Sequence, residues 1–411
     1  MAMDGRHWGL PYARPHRVAA AAGDLAFVGG AGDFDADGAI RHPGDLLAQV
    51  QGAMENVGAA LATEGCGLPD VVRLKAYYRT DGTVDEWGVV AALTRAVAGD
   101  PAPAITAHPV PLQPWAGQEV QVQAIARRGW RAGGDVRVAT RPVPESARDL
   151  FDRAEVTAAL RAGELVAVPA RTAADEANES VPTDDGVEQT RIVMDRLGSA
   201  LTEVGASFQD AVKKEGYYMG TTLEQWAPMA QMRASYFREP GPVATVVPWH
   251  VPWPRGTLTK IEVLALREER NGFDKYIPRE DSWPKRVWDW PVPLPYRQGI
   301  RLRDTIWLGG QVPWEPWQNK GRAVLPGQLI PQTRFTMTYI DDLLHGFRAT
   351  PSDLALLVCY FASDGTPETT TAFLDAVASA VDGPLPPVTV VPQPHMHTDD
   401  MTVEIWGVAR G

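Results

Sequence analysis

One strand-like segment is written three times in this 411-residue chain. VVRLKAYYRTDG (71–82), AVKKEGYYMGTT (211–222) and ALLVCYFASDG (355–365) each carry an aromatic pair: Tyr77–Tyr78, Tyr217–Tyr218 and Tyr360–Phe361. The first members of the pairs lie 140 and 143 residues apart. The same two spacings separate Gln49, Gln189 and Gln332, then Met54, Met194 and Met337, then Leu61, Leu201 and Leu344. A P-x-P-x-x-T pattern follows in PAPAIT (101–106), PGPVAT (240–245) and PLPPVT (384–389). Repetition constrains the fold more than any other feature, because each copy must be one structural unit. The copies are read as 1–130, 131–268 and 269–411.

Each copy predicts the same elements in the same order. A short strand comes first (LAFVGG, LVAVPA or TIWLGG), then a helix. In the first copy Leu46, Leu47, Val50, Ala53, Met54, Val57, Ala60 and Leu61 recur at spacings of three and four, the mark of a buried helical face. The aromatic-pair strand is next, then a second helix, which Pro367 and Glu368 open in the third copy. Two further strands close each copy. Strands mixed with helices predict an α+β unit with helices on one sheet face. In EVQVQAIA the alternation leaves Gln121 and Gln123 on the other face, which is expected to meet the other copies. Residues 131–147 and 270–295 are read as linkers. The second contains SWPKRVWDWPVPLPY and is expected to pack as a surface strap, since Pro prevents regular helix and Trp offers large burial.

Composition excludes several function classes. A net charge of −12 opposes nucleic-acid binding, which needs a basic surface. No apolar run approaches the roughly 20 residues that span a bilayer, and the N-terminus lacks a signal-type apolar segment. Cys66 and Cys359 are the only cysteines, which points to a reducing cytoplasm and not to a disulfide framework. Glycine-rich phosphate loops and the G-x-S-x-G elbow are absent.

Several segments are similar to the Rid family, the YjgF-type reactive-intermediate deaminases. They are PYRQGIRLRDTIWLGGQVPWEP (295–316), the helix from Pro331, the strand through Tyr360 and the closing VEIWGVA. The first copy resembles the family from PYARP through FVGGAGDFDADGAI to VQAIA, and the second from Gly163 onward. The resemblance implies three Rid-like domains that form an intramolecular pseudo-trimer, with ligand clefts between domains. It implies a small-molecule substrate, hydrolysis of imines or enamines, and no cofactor or metal. A monomeric ring is the expected state, with pairing of two rings left open. Ring-opening cyanuric acid hydrolases and chorismate-hydrolysing enzymes are similar in plan, but no Ser-Lys pairing recurs in every copy here.

The family's site residues map unevenly. Its arginine clamp falls on Pro103, Pro242 and Pro386, its serine on Gly29, Pro169 and Gly309, and its glutamate on Gln123, Leu264 and Trp406. Its tyrosine persists as Tyr12 and Tyr296. Proline has no donor for a carboxylate, so deamination of 2-imino acids is not expected. Arg171 and Gln311, just after the first strands, with Trp406, are the remaining substrate-binding candidates. Glu262 and Glu404 are read as sharing the position of Gln121. In an apolar cleft their pKa would rise, and with Gln123 they form the candidate catalytic set. Lys75 and Glu215 are expected at a solvated or paired strand edge. His250 in PWHVPW is read as part of a packed core corner. His395 and His397 are read as a turn far from the cleft, without a metal. The resulting expectation is an enzyme that hydrolyses, dehydrates or cyclises an imine, enamine or related apolar or aromatic metabolite. The alternative is a binding or scaffold protein whose clefts have lost their chemistry.

Overall fold

The computed structural model describes residues 10–80, 84–97, 99–176, 179–270, 273–275, 279–316 and 321–411. The first sheet contains β1 (Ala19–Ala22), β2 (Leu25–Ala31), β3 (Val71–Arg79), β4 (Ala104–Val110) and β5 (Val120–Arg127), in the order β1-β2-β5-β3-β4. Helices α1 (Leu46–Thr63) and α2 (Glu86–Val97) cover one face. The second sheet contains β6 (Val136–Pro142), β7 (Glu155–Ala162), β8 (Leu165–Arg171), β9 (Ala211–Tyr218), β10 (Val243–Pro248) and β11 (Thr259–Leu266), in the order β10-β9-β11-β8-β7-β6. Its helices are α3 (Gly186–Glu203) and α4 (Leu223–Ala234). A ribbon of β12 (Glu268–Arg270) and β13 (Phe273–Lys275) follows. The third sheet contains β14 (Glu280–Ser282), β15 (Gly299–Leu302), β16 (Thr305–Leu308), β17 (Leu354–Ala362), β18 (Val388–Gln393) and β19 (Val403–Arg410), in the order β14-β15-β16-β19-β17-β18. Its helices are α5 (Leu329–Gly346) and α6 (Pro367–Ala378).

The plan is α+β and threefold. In each sheet the aromatic-pair strand runs parallel to the strand after the second helix and antiparallel to the closing strand. Both segments read as linkers contribute strands. Part of 131–147 becomes β6, and part of 270–295 becomes β14, each adding a sixth strand at a sheet edge. Edge strands satisfy backbone groups that would otherwise be left as a pairing template.

The recurrent glutamine has a structural cause. Gln49 Nε2 donates to the carbonyl of Gly117 at 2.9 Å, and Gln49 Oε1 accepts from Glu119 N at 2.7 Å. Gln189 does the same to Gly256 (3.0 Å) and Leu258 (2.7 Å). Gln332 does so to Asp400 (2.7 Å) and Thr402 (2.8 Å). Each glutamine also holds the loop that precedes its own helix, through the carbonyls of His42, Thr183 and Val324. One buried amide thus fixes a helix to the hairpin that closes its sheet. The three methionines and three leucines of the repeat pack beneath it as core.

The first tyrosine of each pair points away from the helices and meets its equivalents. The Tyr77 and Tyr360 hydroxyls are 2.7 Å apart, Tyr217 and Tyr360 3.0 Å, and Tyr77 and Tyr217 3.4 Å. All three are fully buried, and they mark a pseudo-threefold axis. Around it the copies close head to tail. The amide of Ala170 in β8 donates to Thr106 Oγ1 on β4, and the amide of Gly310 after β16 donates to Ala244 O on β10. Gly29 in β2 lies against the backbone of Val388 on β18. The P-x-P segments also serve the seams. Arg17 N donates to Leu385 O and Arg297 N to Pro242 O, while Thr157 Oγ1 donates to Ala102 O.

Gln332→Ala removes hydrogen bonds to Val324, Asp400 and Thr402 at about 1 kcal/mol each, and leaves buried partners unmet. A loss of roughly 2–4 kcal/mol at unchanged m value is expected in urea unfolding.

Candidate functional site

The face around the axis is charged as well as aromatic. Strand β3 brings Arg73 and Lys75, and strands β9 and β11 bring Glu215 and Glu262. Arg73 Nη2 lies 3.0 Å from Glu262 and 3.3 Å from Glu215. Lys75 Nζ lies 3.1 Å from Glu215 and pairs with Glu262 as well. Thr106 Oγ1 donates to Glu262 at 3.1 Å, and Arg73 Nη1 donates to Gln123 Oε1 at 2.6 Å. Gln123 in turn donates to Thr389 Oγ1 at 3.1 Å. Buried charges are tolerated when paired and hydrogen-bonded in this way.

Two expectations are corrected here. Lys75 and Glu215 do not sit at a solvated edge; both are sealed at the centre. Glu262 is not an acid–base group in an apolar cleft. Burial alone would raise its pKa, but Arg73 and Lys75 outweigh burial and hold it below the ordinary carboxylate range. Its position is corrected as well. Glu262 pairs with Glu215 across the sheet, Gln123 with Lys75, and Trp406 with Val358, so these three are equivalent. Glu404 pairs with Tyr360 and is the counterpart of Gln121 and Lys260. The family's glutamate position in the second copy is therefore Glu262, not Leu264.

The clefts lie where the copies meet, and they differ. At the seam of the second and third copies, a cleft with about 530 Å³ of free space is lined by Trp226, Trp288, Trp290, Trp314, Val246, Val312 and Met401. Its polar wall is Glu404, His397 and Tyr218. Glu404 Oε2 lies 2.7 Å from His397 Nε2, and His397 Nδ1 lies 3.0 Å from the Tyr218 hydroxyl. In the arrangement with Glu404 ionised and the imidazole neutral, Nε2–H donates to Glu404 and Tyr218 donates to Nδ1, a directional relay. Burial, then the nearby Glu404 charge, raises the Tyr218 phenol well above its usual range, so Tyr218 stays a donor. Glu404 packs over Gly310, where any side chain would strike its carboxylate.

The other candidates fall around this cleft without lining it. Gln311 is fully buried; it accepts from Trp288 Nε1 at 3.1 Å and donates to Gln298 Oε1 at 2.8 Å. It thereby positions one tryptophan of the wall. Tyr296 packs behind the wall against Trp290 and Phe237 and caps buried Lys214. Trp406 faces the axis, with Lys213 Nζ 4.0 Å from its ring centre. Burial brings the Lys213 amine down to about 7. Tyr12 donates to Asp375 at 2.7 Å at the seam of the third and first copies. Across that seam Gln121 donates to Val390 O at 2.6 Å and Thr370 to Pro114 O at 3.2 Å, while within the third copy Phe361 stacks on Phe373 at 4.2 Å. Arg171 lines a pocket at the remaining seam.

His397 and Tyr218 were not among the candidates read from sequence. The hairpin loop that carries His397 folds over its own sheet edge and reaches the cleft, correcting the reading that placed it far away. Tyr218 was visible only as the second member of a pair, and the alternation of the strand sends it opposite to Tyr217. The Trp-rich strap does pack, as expected, but its Trp288 and Trp290 also form the cleft wall. His250 packs edge-on against His395, 4.4 Å between ring centres. Among the described residues no group of three or more His, Cys, Asp or Glu is arranged to hold a metal ion, and no helix is long and apolar enough to cross a membrane.

No family model and no curated protein matches the chain. Among solved structures, a chorismatase superposes with a TM-score of 0.55 at 12% identity, over 83% of this chain and 93% of that one. In fold, this is a Rid-like tandem-repeat protein. Single Rid-type units match one portion each. A YjgF/YER057c/UK114 family member from Mycobacterium tuberculosis shares 25% identity over 31% of this chain and 99% of its own, with a TM-score of 0.25. E. coli TdcF with bound serine shares 17% identity over 32% and 98%, with a TM-score of 0.28. Of the three serine positions of the Rid pattern, the two occupied by glycine are crowded. A side chain at Gly29 would strike the Val388 backbone at 2.6 Å, and one at Gly309 would come within 3.3 Å of three backbone oxygens.

Glu262→Gln leaves Lys75 and Arg73 short of a counter-charge. A loss of about 3–5 kcal/mol at neutral pH is expected from denaturant unfolding. Because the folded-state pKa of Glu262 lies below its unfolded value near 4.5, its stabilisation is complete above that value and lost as pH falls toward the folded value. The acid limb of stability against pH should be shallower in the variant.

Proposed function

We propose that the protein is a Rid-like enzyme acting on a small apolar or aromatic imine, enamine or related metabolite. The site is the tryptophan-lined cleft between the second and third copies. The observation that carries this reading is the Tyr218–His397–Glu404 relay, opening into a wall of four tryptophans. A lone carboxylate hydrogen-bonded to imidazole in an apolar cleft is suited to general acid–base work. The wall offers flat stacking surfaces for a ring. Arginine does not line this cleft among the described residues, so the substrate is not anchored by a bidentate carboxylate clamp.

For hydrolysis of an imine, Glu404 accepts a proton from water as its oxygen attacks the carbon. The relay delivers that proton to nitrogen to give a carbinolamine; a second transfer, from the new hydroxyl by way of Glu404 to nitrogen, breaks the C–N bond as the C=O bond forms, leaving a carbonyl compound and an amine. The same pair of groups serves dehydration or cyclisation, in which a proton is removed from one atom and delivered to another. The chemistry is read from these residues, because shared fold alone does not transmit activity.

The test uses the full chain and an aromatic imine, N-benzylidenemethylamine, with benzaldehyde release followed by absorbance. Catalysed hydrolysis is expected, with kcat falling about 10²–10⁴-fold in Glu404→Gln. His397→Asn should lower kcat in the same direction. 2-Aminoacrylate should give no keto acid. Robust deamination of 2-aminoacrylate, or a Glu404→Gln variant as active as the parent, overturns the reading. Saturable quenching of tryptophan emission by 4-nitrobenzyl alcohol without turnover of any imine would favour a binding protein instead.

A further inference from the structure

The seam between the first and second copies carries chemistry opposite to the aromatic cleft. Its pocket is lined by Arg141, Arg171, Arg196 and Lys260, with Trp87 and Trp253. The carboxylates present are Glu86, Asp175, Glu176 and Glu179. Formal charges balance, but the pairing does not. Glu86 is taken by Lys260 at 2.5 Å, and Glu176 pairs with Arg171. Glu179 accepts from Trp87 Nε1 at 2.8 Å and from Ser146 at 2.9 Å. Asp175 neighbours Arg196 without an ion pair between them.

Two guanidiniums therefore lack a carboxylate within ion-pair distance among the described residues. Arg196 Nη1 donates only to the carbonyls of Thr172 and Ala174. Arg141 lies over the Trp87 ring at 4.7 Å, and its buried Nε has no acceptor. Burial lowers all three arginines, Arg141 to about 10, and for Arg171 repulsion from Arg141 and Arg196 adds to burial. Three guanidiniums converge on one pocket of a chain whose net charge is −12. Carboxylates reach Arg141 and Arg196 only from beyond ion-pair distance, and an anion with several acceptor oxygens supplies direct partners.

We propose that this seam is a second binding site, for a small oxyanion carrying a carboxylate or phosphate group. Arg141, Arg171 and Arg196 hold the oxygens, and Trp87 and Trp253 flank the remainder. The elements come from different places: Arg171 ends β8, Arg141 sits on the edge strand β6, Arg196 lies on α3 and Trp87 on α2 of the neighbouring copy. Occupancy would therefore tie the first copy to the second. The site is separate from Glu404 and stands whether or not the aromatic cleft is catalytic.

The test is calorimetric titration of the full chain with sodium phosphate and, separately, with sodium malonate, at ionic strength matched by sodium chloride. Saturable one-to-one binding of at least one anion is expected, and the tighter of the two assigns the headgroup. Arg141→Gln should weaken binding at least tenfold, while Glu404→Gln should leave it unchanged. Arg196→Gln is the second variant should Arg141→Gln fail to fold, and it should also weaken binding at least tenfold. Absence of saturable heat with both anions overturns the proposal. So does binding by the folded Arg141→Gln or Arg196→Gln variant equal to that of the parent.

Discussion

The buried ion-pair network on the axis is the constraint on which the rest depends. Arg73 and Lys75 come from one copy, Glu215 and Glu262 from the next, while the third copy offers Val358 and Trp406 at the equivalent places. Three identical strands could not do this. A homotrimer with lysine at this position would bring three ammonium groups to one axis and could not pair it with a glutamate at its own equivalent position, as Lys75 pairs with Glu215 here. Covalent linkage removes that symmetry and lets opposite charges meet across a single seam. It also makes assembly independent of concentration. The network is asymmetric and the tyrosine triad is not, so the hydroxyls define where the axis is and the charges define the order of copies around it.

The seams diverged from this shared frame. At one, Gln121 of the first copy is tied to the β18 backbone of the third. At another, tryptophans from the strap leave an apolar cleft with one relay. At the third, arginines gather around a polar pocket. The P-x-P segments are given over to the seams. Their neighbouring backbone pairs with the incoming start of the next copy, through Leu385, Pro242 and Ala102. A proline fixes φ there at little entropic cost and needs no donor of its own.

Much of the architecture was legible because repetition is a long-range signal that survives drift. The glutamine spacing encoded one staple used three times, and the helical faces followed from their apolar period. The site was less legible for two physical reasons. The spacing between copies changes from 140 at Tyr217 to 139 at Pro240. The closing strands follow that 139 spacing, from Gln123 to Glu262, whereas placing the position at Leu264 takes a spacing of 141, two residues out of register. Partners across a seam also leave no periodic trace. Nothing local to PQPHMHTDD says that His397 will meet Glu404 and Tyr218, and nothing local to residues 131–147 says that Arg141 will reach a pocket built on β8. The strap was read correctly as packed, but packing and lining a cleft are not exclusive when the side chain is tryptophan.

Glu262 and Glu404 show how environment divides one residue type into two roles. They lie on equivalent closing strands, two positions apart in register, so their surroundings differ while their strands do not. Glu262 is held by two cations and a threonine hydroxyl. Taking its proton back would cost the whole network, so it stays ionised and does no proton transfer. Glu404 faces a single neutral-capable imidazole and an apolar wall. Its hydrogen-bond partner is that imidazole, while the buried Lys213 and Lys214 feel its charge from farther away. Glu404 lines a cleft that a small molecule can enter and Glu262 is sealed among its partners, so in this ring the seam presents a carboxylate to a ligand and the axis does not.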